Sequence, residues 1–181
     1  PRSQSRIISG LKSFFNYLVF EDYRETNPME LIEAPKIGRK LPDTLSVDEI
    51  DHIIDHIDLS TAEGERNRVI IETLYGCGLR VSELTDLKLS SLFFEEGYIK
   101  VTGKGDKQRF VPIGDVTKKY INIYITEIRA HLTIQKGHED TLFLNRRDKQ
   151  LTRAMIFTIV KRLVQKSGIQ KKVSPHTFRH S

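Results

Sequence analysis

Apolar residues recur along the chain at the spacing of amphipathic helices. A helix is predicted over residues 1–20, where the apolar positions fall three and four apart. Ser46 and Glu49 have the spacing of a capping box, so a second helix is predicted to begin there. Further helices are predicted over residues 66–75, 81–87, 116–132 and 152–164, with a last one after Ser174-Pro175.

Three short segments between these helices are rich in aromatic and β-branched residues and predict strands. They comprise residues 93–94, 98–102 and 109–113. The last two are separated by Gly103-Lys104-Gly105-Asp106, which predicts a hairpin. The sequence therefore predicts a mainly α fold with a small antiparallel β-sheet (α+β).

A segment with two prolines separates the first predicted helix from the others. Residues 34–43 also contain Gly38-Arg39-Lys40, and this composition predicts an extended linker. Residues 1–33 are expected to end one domain, and residues 44–181 to form most of another. Because the pattern of the first and last predicted helices is cut by a chain end, we expect the chain to be a fragment of a longer protein.

The charged residues are distributed unevenly, although the formal net charge of the 181 residues is only +5. Residues 44–99 carry 4 basic and 12 acidic side chains, whereas residues 100–181 carry 18 basic and 6 acidic ones. A basic half of this kind favours an anionic partner. Unsorted surface lysines are the alternative interpretation of the charge alone.

Composition excludes several classes of protein. The single cysteine, Cys77, rules out an intrachain disulfide and a cysteine-rich zinc site, and it fits a reducing compartment. No apolar stretch approaches the ~20 residues that a membrane-spanning helix needs. We therefore expect a cytoplasmic protein without a membrane partner.

Arg80 and Glu83 form the first cluster of candidate site residues. Arg80 follows a glycine breaker at a predicted helix start, where free backbone N–H groups and the positive helix end would favour an anion. Glu83 lies three residues later on the same helical face and can hold Arg80 in place. An ordinary helix start with a solvated arginine is the alternative interpretation.

The predicted hairpin turn forms the second cluster. It does not match a phosphate-binding loop, because Tyr98 stands where that motif has its first glycine and Gly105 where it has Ser or Thr. Lys104 at the tip is therefore either a solubilising turn residue or a proton donor placed over a substrate.

The third cluster lies near the last residue of the chain. His176 and Arg179 are three positions apart, so on a helix they share one face and can converge on one phosphate. His176 and His180 have the spacing of helical zinc ligands, but Thr177 stands where that motif has its catalytic glutamate. We predict no metal site, because the sequence offers no convincing third ligand.

Taken in order, the three clusters resemble the motifs of the tyrosine recombinases (phage-integrase-like enzymes), most closely the bacterial XerC/XerD type. The resemblance extends over essentially the whole chain, and residues 1–33 resemble the end of the family's DNA-clamping domain. The matching motifs are Gly-Leu-Arg-Val-Ser-Glu-Leu at 78–84, Lys-Gly-Asp-Lys-Gln-Arg-Phe-Val-Pro-Ile at 104–113 and Ser-Pro-His-Thr-Phe-Arg-His at 174–180.

The resemblance implies a site-specific recombinase that cuts and rejoins DNA strands through a 3′-phosphotyrosine intermediate, without a cofactor. It assigns Arg80 and Arg179 to the non-bridging phosphate oxygens, which a planar and permanently charged guanidinium suits. It assigns Lys104 to protonation of the leaving 5′-oxygen. It assigns His176 to proton transfer at the tyrosine, since imidazole changes its charge near neutral pH, and Glu83 to a supporting role.

The family's second histidine or tryptophan and its nucleophilic tyrosine would fall beyond Ser181. All six tyrosines of the chain precede the third cluster, so we expect a catalytic-domain fold truncated at its C-terminus and an inactive chain. The same missing part carries the family's subunit contacts, which implies a tetramer of the full-length protein on synapsed DNA and a monomer for this chain. Duplex DNA is the expected partner, and further contacts to it are expected from Arg6, Lys107, Arg109, Arg146 and Arg147.

Three alternatives stay open at this point. A type IB topoisomerase shares the implied chemistry, although the short linker and the tight motif spacing favour a recombinase. A DNA-binding module of the same fold without catalysis would not need Arg80, Lys104, His176 and Arg179 together. A structural or protein-interaction role is favoured only by the acidic residues 44–99.

Overall fold

The computed structural model of the chain describes residues 2–35 and 44–181, without the side chains of Arg2 and Lys104. The chain forms two compact units, Pro1–Leu41 and Pro42–Ser181. Of the predicted linker 34–43, residues 36–43 lie outside the described part, and residues 34–35 have no regular secondary structure.

The first unit consists of helix α1 (Arg2–Phe20) and the turns that follow it, as the apolar pattern predicts. Asn27 holds the returning segment against the helix. Its side-chain amide donates to Oδ1 of Asn16 at 2.6 Å and to the carbonyl of Lys12 at 3.3 Å. Lys12 adds a second contact, because its Nζ donates to the carbonyl of Glu30 at 3.3 Å.

The second unit begins with helix α2 (Val47–Asp55), whose start is the predicted capping box. Ser46 Oγ accepts from the backbone N–H of Glu49 at 3.2 Å, and Glu49 Oε2 accepts from the backbone N–H of Ser46 at 2.8 Å. Each of the two side chains accepts from the other residue's backbone N–H, so the helix begins directly after Ser46, as predicted.

Helix α3 (Ala62–Gly76) starts four residues before the predicted position, and helix α4 (Val81–Thr85) ends two residues before it. The early start of α3 follows from Thr61, whose side-chain oxygen accepts from the backbone N–H of Gly64 at 3.0 Å and so caps the helix. Between the two helices Gly78 has a φ of +55°, which glycine adopts without a steric penalty. This turn sets the start of α4.

Strands β1 (Leu92–Phe93), β2 (Tyr98–Thr102) and β3 (Gln108–Pro112) form an antiparallel sheet in that order. The predicted bounds of β2 are confirmed, whereas β1 and β3 start one residue earlier than predicted. The predicted hairpin between β2 and β3 is also confirmed. Its turn contains Gly105 at a φ of +73°.

Helix α5 (Asp115–Ile123) is shorter than the helix predicted over residues 116–132, so that prediction was wrong for its second half. The chain continues as a wide π-helical turn (Tyr124–Ile128) and a tight 3₁₀ turn (Arg129–His131). The buried Arg129 donates from Nε to the carbonyl of Thr141 at 3.0 Å. This bond to a neighbouring segment competes with a regular helix, and the sequence pattern carries no sign of it.

No element is predicted over residues 133–151, yet two isolated β-bridges form with residues of this segment. Leu142 and Phe143 are completely buried there. The continuous apolar run at 142–144 is the sequence signal for this burial, because such a run is typical of a buried segment.

Helices α6 (Arg153–Lys166) and α7 (Pro175–His180) complete the unit. Thr152 caps α6 by accepting from the backbone N–H of Met155 at 3.3 Å, and Ser174 precedes α7 as predicted. The helices and strands of the second unit share one apolar core. Among the described residues, no helix is long and apolar enough to cross a membrane. The predicted mainly α fold with one small antiparallel sheet is thus confirmed.

Gly64, in the first turn of α3, offers a test of this packing. A β-carbon at Gly64 would lie 1.8 Å from the carbonyl oxygen of Asp58, so alanine fits only if the backbone moves. We expect Gly64→Ala to lower the free energy of unfolding by about 3 kcal/mol, the upper end of ordinary overpacking costs. Urea denaturation followed by circular dichroism measures the change.

The matched control is Gly10→Ala in α1, where an added β-carbon meets no atom within 4 Å among the described residues. This change should be neutral or stabilise the helix by up to ~1 kcal/mol. A wild-type denaturation midpoint for Gly64→Ala would show that the close approach does not exist in solution.

Candidate active site

Glu83 lies at the centre of the candidate site, and its side chain is completely shielded from solvent (0% exposed). Its carboxylate accepts three hydrogen bonds, each of 2.8 Å. Oε2 accepts from the backbone N–H of Arg80 and from Nη2 of Arg109, and Oε1 accepts from Nη1 of Arg80. One carboxylate therefore connects the start of α4 with strand β3.

Glu83 holds Arg80 through both its backbone and its side chain. The backbone N–H of Arg80 donates to Glu83 Oε2 at 2.8 Å. The predicted support of Arg80 by Glu83 is seen directly in the ion pair between their side chains. The Arg80 side chain remains 53% exposed, so its guanidinium is both held and accessible.

Arg179 reaches the same carboxylate from helix α7. Its Nη1 lies 3.8 Å from Glu83 Oε2, too far for a hydrogen bond. This nitrogen is buried and has no hydrogen-bond partner among the residues that the structure describes. Leaving a buried donor unpaired costs about 1–3 kcal/mol or more, and an anion that reached this nitrogen would recover that energy.

The site carries three guanidinium groups against one carboxylate, which leaves it positive. Burial alone raises the pKa of Glu83. The hydrogen bonds from the Arg80 backbone and from the Arg109 and Arg80 side chains outweigh burial, so the pKa of Glu83 lies below its ordinary value of 4.5. The carboxylate of Glu83 is therefore ionised at neutral pH.

The hairpin that carries Lys104 begins beside this carboxylate. The backbone N–H of Gly103 donates to the carbonyl of Lys107 at 2.8 Å and closes the base of the turn. A β-carbon at Gly103 would lie 3.7 Å from Glu83 Oε1, which shows how closely the backbone passes the site. The Lys104 side chain lies outside the described part, so its role stays a prediction.

His176 lies on α7 together with Arg179, as the spacing predicts, and its side chain is exposed. Its ring contacts the ring of Phe157 in α6 edge to face, with 6.2 Å between the ring centres. The helix that carries both residues is fixed by Thr177, whose side-chain oxygen accepts from the backbone N–H of Ser174 at 3.0 Å. The role of His176 also stays a prediction.

The other basic residues expected to contact DNA occupy different surroundings. Arg109 lies inside the site, as described above. Arg146 forms an ion pair with Glu63, with Nη2 2.8 Å from Oε2. Arg6 in the first unit and Lys107 and Arg147 in the second are exposed.

Sequence reasoning did not place Arg109 in the site. Its ion pair with Glu83 depends on the register of β2 and β3, which sets Arg109 opposite Val101. The alternation of β3 gave a partial signal, since Arg109 and Val111 share one face of that strand and Val111 is buried. An arginine on the buried side of a strand needs a charged partner.

Two of the six tyrosines have structural roles in the second unit. Tyr124 is buried, stacks with Phe143, and has a hydroxyl that accepts from the backbone N–H of Leu144 at 3.5 Å. The Tyr120 ring lies under the guanidinium of Arg68, whose central carbon is 3.9 Å from the ring centre. Over residues 2–35 and 44–181, no three His, Cys, Asp or Glu side chains cluster as metal ligands do.

Three arginines around one buried carboxylate can bind a tetrahedral oxyanion such as a phosphate. Each guanidinium offers several donors in a fixed plane, and Glu83 holds two of the three in position. Glu83 itself is ionised and accepts three hydrogen bonds, and its supporting role in the reaction stays a prediction.

Comparisons with known proteins show the family of the chain. The phage integrase family matches residues 43–181. The chain is 44% identical over 177 residues to the tyrosine recombinase XerD of Oceanobacillus iheyensis, covering 98% of this chain and 59% of that protein. It also resembles the crystal structure of XerA recombinase, with a TM-score of 0.68 and 32% identity over 96% of this chain and 57% of that one.

A second solved structure, XerH site-specific recombinase bound to palindromic difH substrate, matches with a TM-score of 0.67 and 28% identity, covering 87% of this chain and 45% of that one.

The fold and the site thus define a domain of the tyrosine recombinase class. The chain belongs to the phage integrase family, and the predicted resemblance to the XerC/XerD type is confirmed on the XerD side. It spans about three fifths of the length of the curated relatives it matches.

Glu83→Gln tests the electrostatics of the site. Because the pKa of Glu83 is lowered in the folded protein, its contribution to stability is present above the unfolded pKa and is lost as the pH falls through the folded pKa. We expect Glu83→Gln to cost about 1–3 kcal/mol at pH 7, since a charged acceptor is replaced by a neutral one. The difference from wild type should shrink once the pH falls below about 4.

Urea denaturation at pH values from 7 to 3 measures this difference, and the exposed Glu95→Gln serves as the control. The control should change the free energy of unfolding by less than ~0.5 kcal/mol at every pH. A pH-independent loss for Glu83→Gln would mean that packing, and not the carboxylate charge, stabilises the site.

Proposed function

We propose that this chain contributes the phosphate-binding part of the active site to a site-specific tyrosine recombinase, which cuts and rejoins duplex DNA through a 3′-phosphotyrosine link. In this proposal residues 1–33 end a DNA-clamping domain, residues 34–43 link the domains and residues 44–181 form most of the catalytic domain. Family membership and the 44% identity to a tyrosine recombinase XerD support the proposal.

The observation that carries the proposal is the buried Nη1 of Arg179. It makes no hydrogen bond within the described part of the chain, and it lies 3.8 Å from the carboxylate of the Arg80–Glu83 pair. Arg80 and Arg179 would bind the two non-bridging oxygens of the scissile phosphate. Negative charge accumulates on these oxygens in the pentacoordinate transition state, so cations already in place stabilise that state more than the ground state.

The remaining steps are proton transfers. The tyrosine hydroxyl of the full-length protein attacks the phosphorus and loses its proton with help from His176, while the 5′-oxygen leaves with a proton from Lys104. The 5′-hydroxyl of the partner strand then attacks the phosphotyrosine and regenerates the tyrosine. The energy of the broken bond stays in the protein–DNA link, so the scheme consumes no nucleotide.

The surroundings of the reaction are part of the proposal. Three exposed basic residues of the segment 100–181, Lys107, Arg146 and Arg147, would bind the DNA backbone, and Arg6 would add a contact from the clamping domain. We propose a cytoplasmic protein that is a tetramer on synapsed DNA at full length, whereas this chain alone is a monomer without the nucleophile.

Capture of covalent adducts tests the proposal. The full-length protein that carries this chain is mixed with fragmented DNA of the source organism, denatured and collected on glass-fibre filters, and the retained DNA is sequenced. We expect one short sequence to be enriched, linked at a 3′-phosphate. Absence of a covalent adduct from the full-length protein would overturn the proposal, and an adduct from the isolated chain would place the nucleophile among its six tyrosines.

The isolated chain should still bind duplex DNA without cleaving it. If it neutralises about four phosphates, its association constant should fall by about 100-fold between 50 and 200 mM salt, because bound counterions are released. Fluorescence anisotropy at several salt concentrations measures the slope. Arg147→Ala should lower that slope by about one, and binding that is insensitive to salt would contradict the proposed backbone contacts.

A further inference from the structure

Arg109 connects the sheet to the buried carboxylate at the centre of the site. Its Nη2 donates to Glu83 Oε2 at 2.8 Å, and its side chain is 40% exposed. It lies on β3 opposite Val101, at the base of the hairpin whose turn contains Lys104. The ion pair therefore joins the hairpin to helix α4.

The three bonds of Glu83 depend on one another because the carboxylate is planar and rigid. Oε2 is shared by the Arg80 backbone N–H and by Arg109, and Oε1 holds the Arg80 guanidinium. Without Arg109, Oε2 keeps only the backbone donor among the described hydrogen bonds. The carboxylate could then rotate about its last side-chain bond, and the Arg80 guanidinium would follow it.

We propose that Arg109 is a positioning residue. Through Glu83 it fixes the guanidinium of Arg80 and the base of the hairpin that carries Lys104. It does so without binding a DNA phosphate itself, in contrast to the expectation from the sequence. The proposal rests on the proposed function, since Arg80 and Lys104 are assigned to the reaction there.

The test measures single-turnover cleavage at saturating DNA, together with DNA affinity, for the full-length protein and five variants. Arg109→Gln should slow cleavage by about 10–100-fold, since a misplacement of about 1 Å can cost about 100-fold. Its Kd should stay within about threefold of wild type, because no DNA contact is lost. Arg109→Lys should recover part of the rate, since its ammonium can still donate one hydrogen bond to Glu83.

The decisive comparison is between Glu83→Gln and the double variant Arg109→Gln/Glu83→Gln. If Arg109 acts through Glu83, the double variant should be no more than about threefold slower than Glu83→Gln alone. Lys171→Gln is the matched control, since it breaks an ion pair of similar length, 2.7 Å to Glu49, away from the site. Its cleavage rate should equal that of wild type.

Other outcomes would overturn the proposal. A weaker Kd for Arg109→Gln with a salt slope lower by about one would make Arg109 a phosphate contact. Rate losses that multiply in the double variant would show that it does not act through Glu83. A purely structural role would lower the fraction of active molecules, which is the amplitude of the single-turnover reaction. It would leave the rate constant of cleavage unchanged.

Failure of the proposed function gives a different result, because the wild-type protein would then form no cleavage product at all. In that case the positioning role fails with it, and a double-variant cycle in urea denaturation still reports whether Arg109 and Glu83 interact. A failure of the positioning role alone leaves wild-type cleavage intact.

Discussion

Replacing Arg179 by alanine in the full-length protein should slow DNA cleavage by about 10²–10³-fold and change DNA affinity only a few-fold. The expected loss is in the rate because this guanidinium would meet the phosphate most strongly when charge accumulates on the non-bridging oxygens. The fold should tolerate the change, since Arg179 Nη1 has no hydrogen-bond partner among the described residues. Single-turnover cleavage and filter binding measure the two quantities separately.

Arg80→Ala should give a similar loss of rate but also lower stability, since it removes a 2.8 Å ion pair to a buried carboxylate. Lysine should rescue either position poorly, because a point charge cannot span two oxygens in a fixed plane. If the alanine variants lose affinity and rate by the same factor, these arginines are ordinary backbone contacts and not transition-state donors.

The local features of the fold could be predicted because their causes lie within a few residues. The capping box at Ser46 and Glu49 needs only a spacing of three, and the hairpin turn needs a glycine that accepts a positive φ at position 105. The family motifs are equally local, so the family and the fold class could be predicted from them, and both are confirmed.

Features that depend on contacts between distant segments could not be predicted in this way. The regular helix ends after Ile123, where the chain turns so that the buried Arg129 binds the carbonyl of Thr141, and periodicity alone gives no hint of that partner. The position of Arg109 follows from strand register, which a one-residue error in the predicted start of β3 is enough to obscure. Candidate site residues that belong to local motifs could therefore be predicted from the sequence. The long-range contacts that hold them in place could not.

Lys104→Ala should slow cleavage of normal DNA by about 10²–10⁴-fold in the full-length protein, the range expected for loss of a general acid. An alkoxide is a poor leaving group and needs a proton, whereas a thiolate leaves without one. Cleavage should therefore recover on DNA in which sulfur replaces the bridging 5′-oxygen. The rates on the two substrates, measured at saturating DNA, give the size of the rescue.

Lys107→Ala is the matched control, because Lys107 is exposed on the same hairpin and carries the same charge. Its defect should be smaller and should not be repaired by sulfur, since a backbone contact does not supply the proton. Lys104 is preferred as the acid because it lies between Gly103 and Gly105 in the hairpin turn. The backbone at Gly103 passes close to Glu83, and Arg109 of β3 pairs with the same carboxylate. If sulfur rescues Lys107→Ala and not Lys104→Ala, the proton donor lies three residues further along the hairpin.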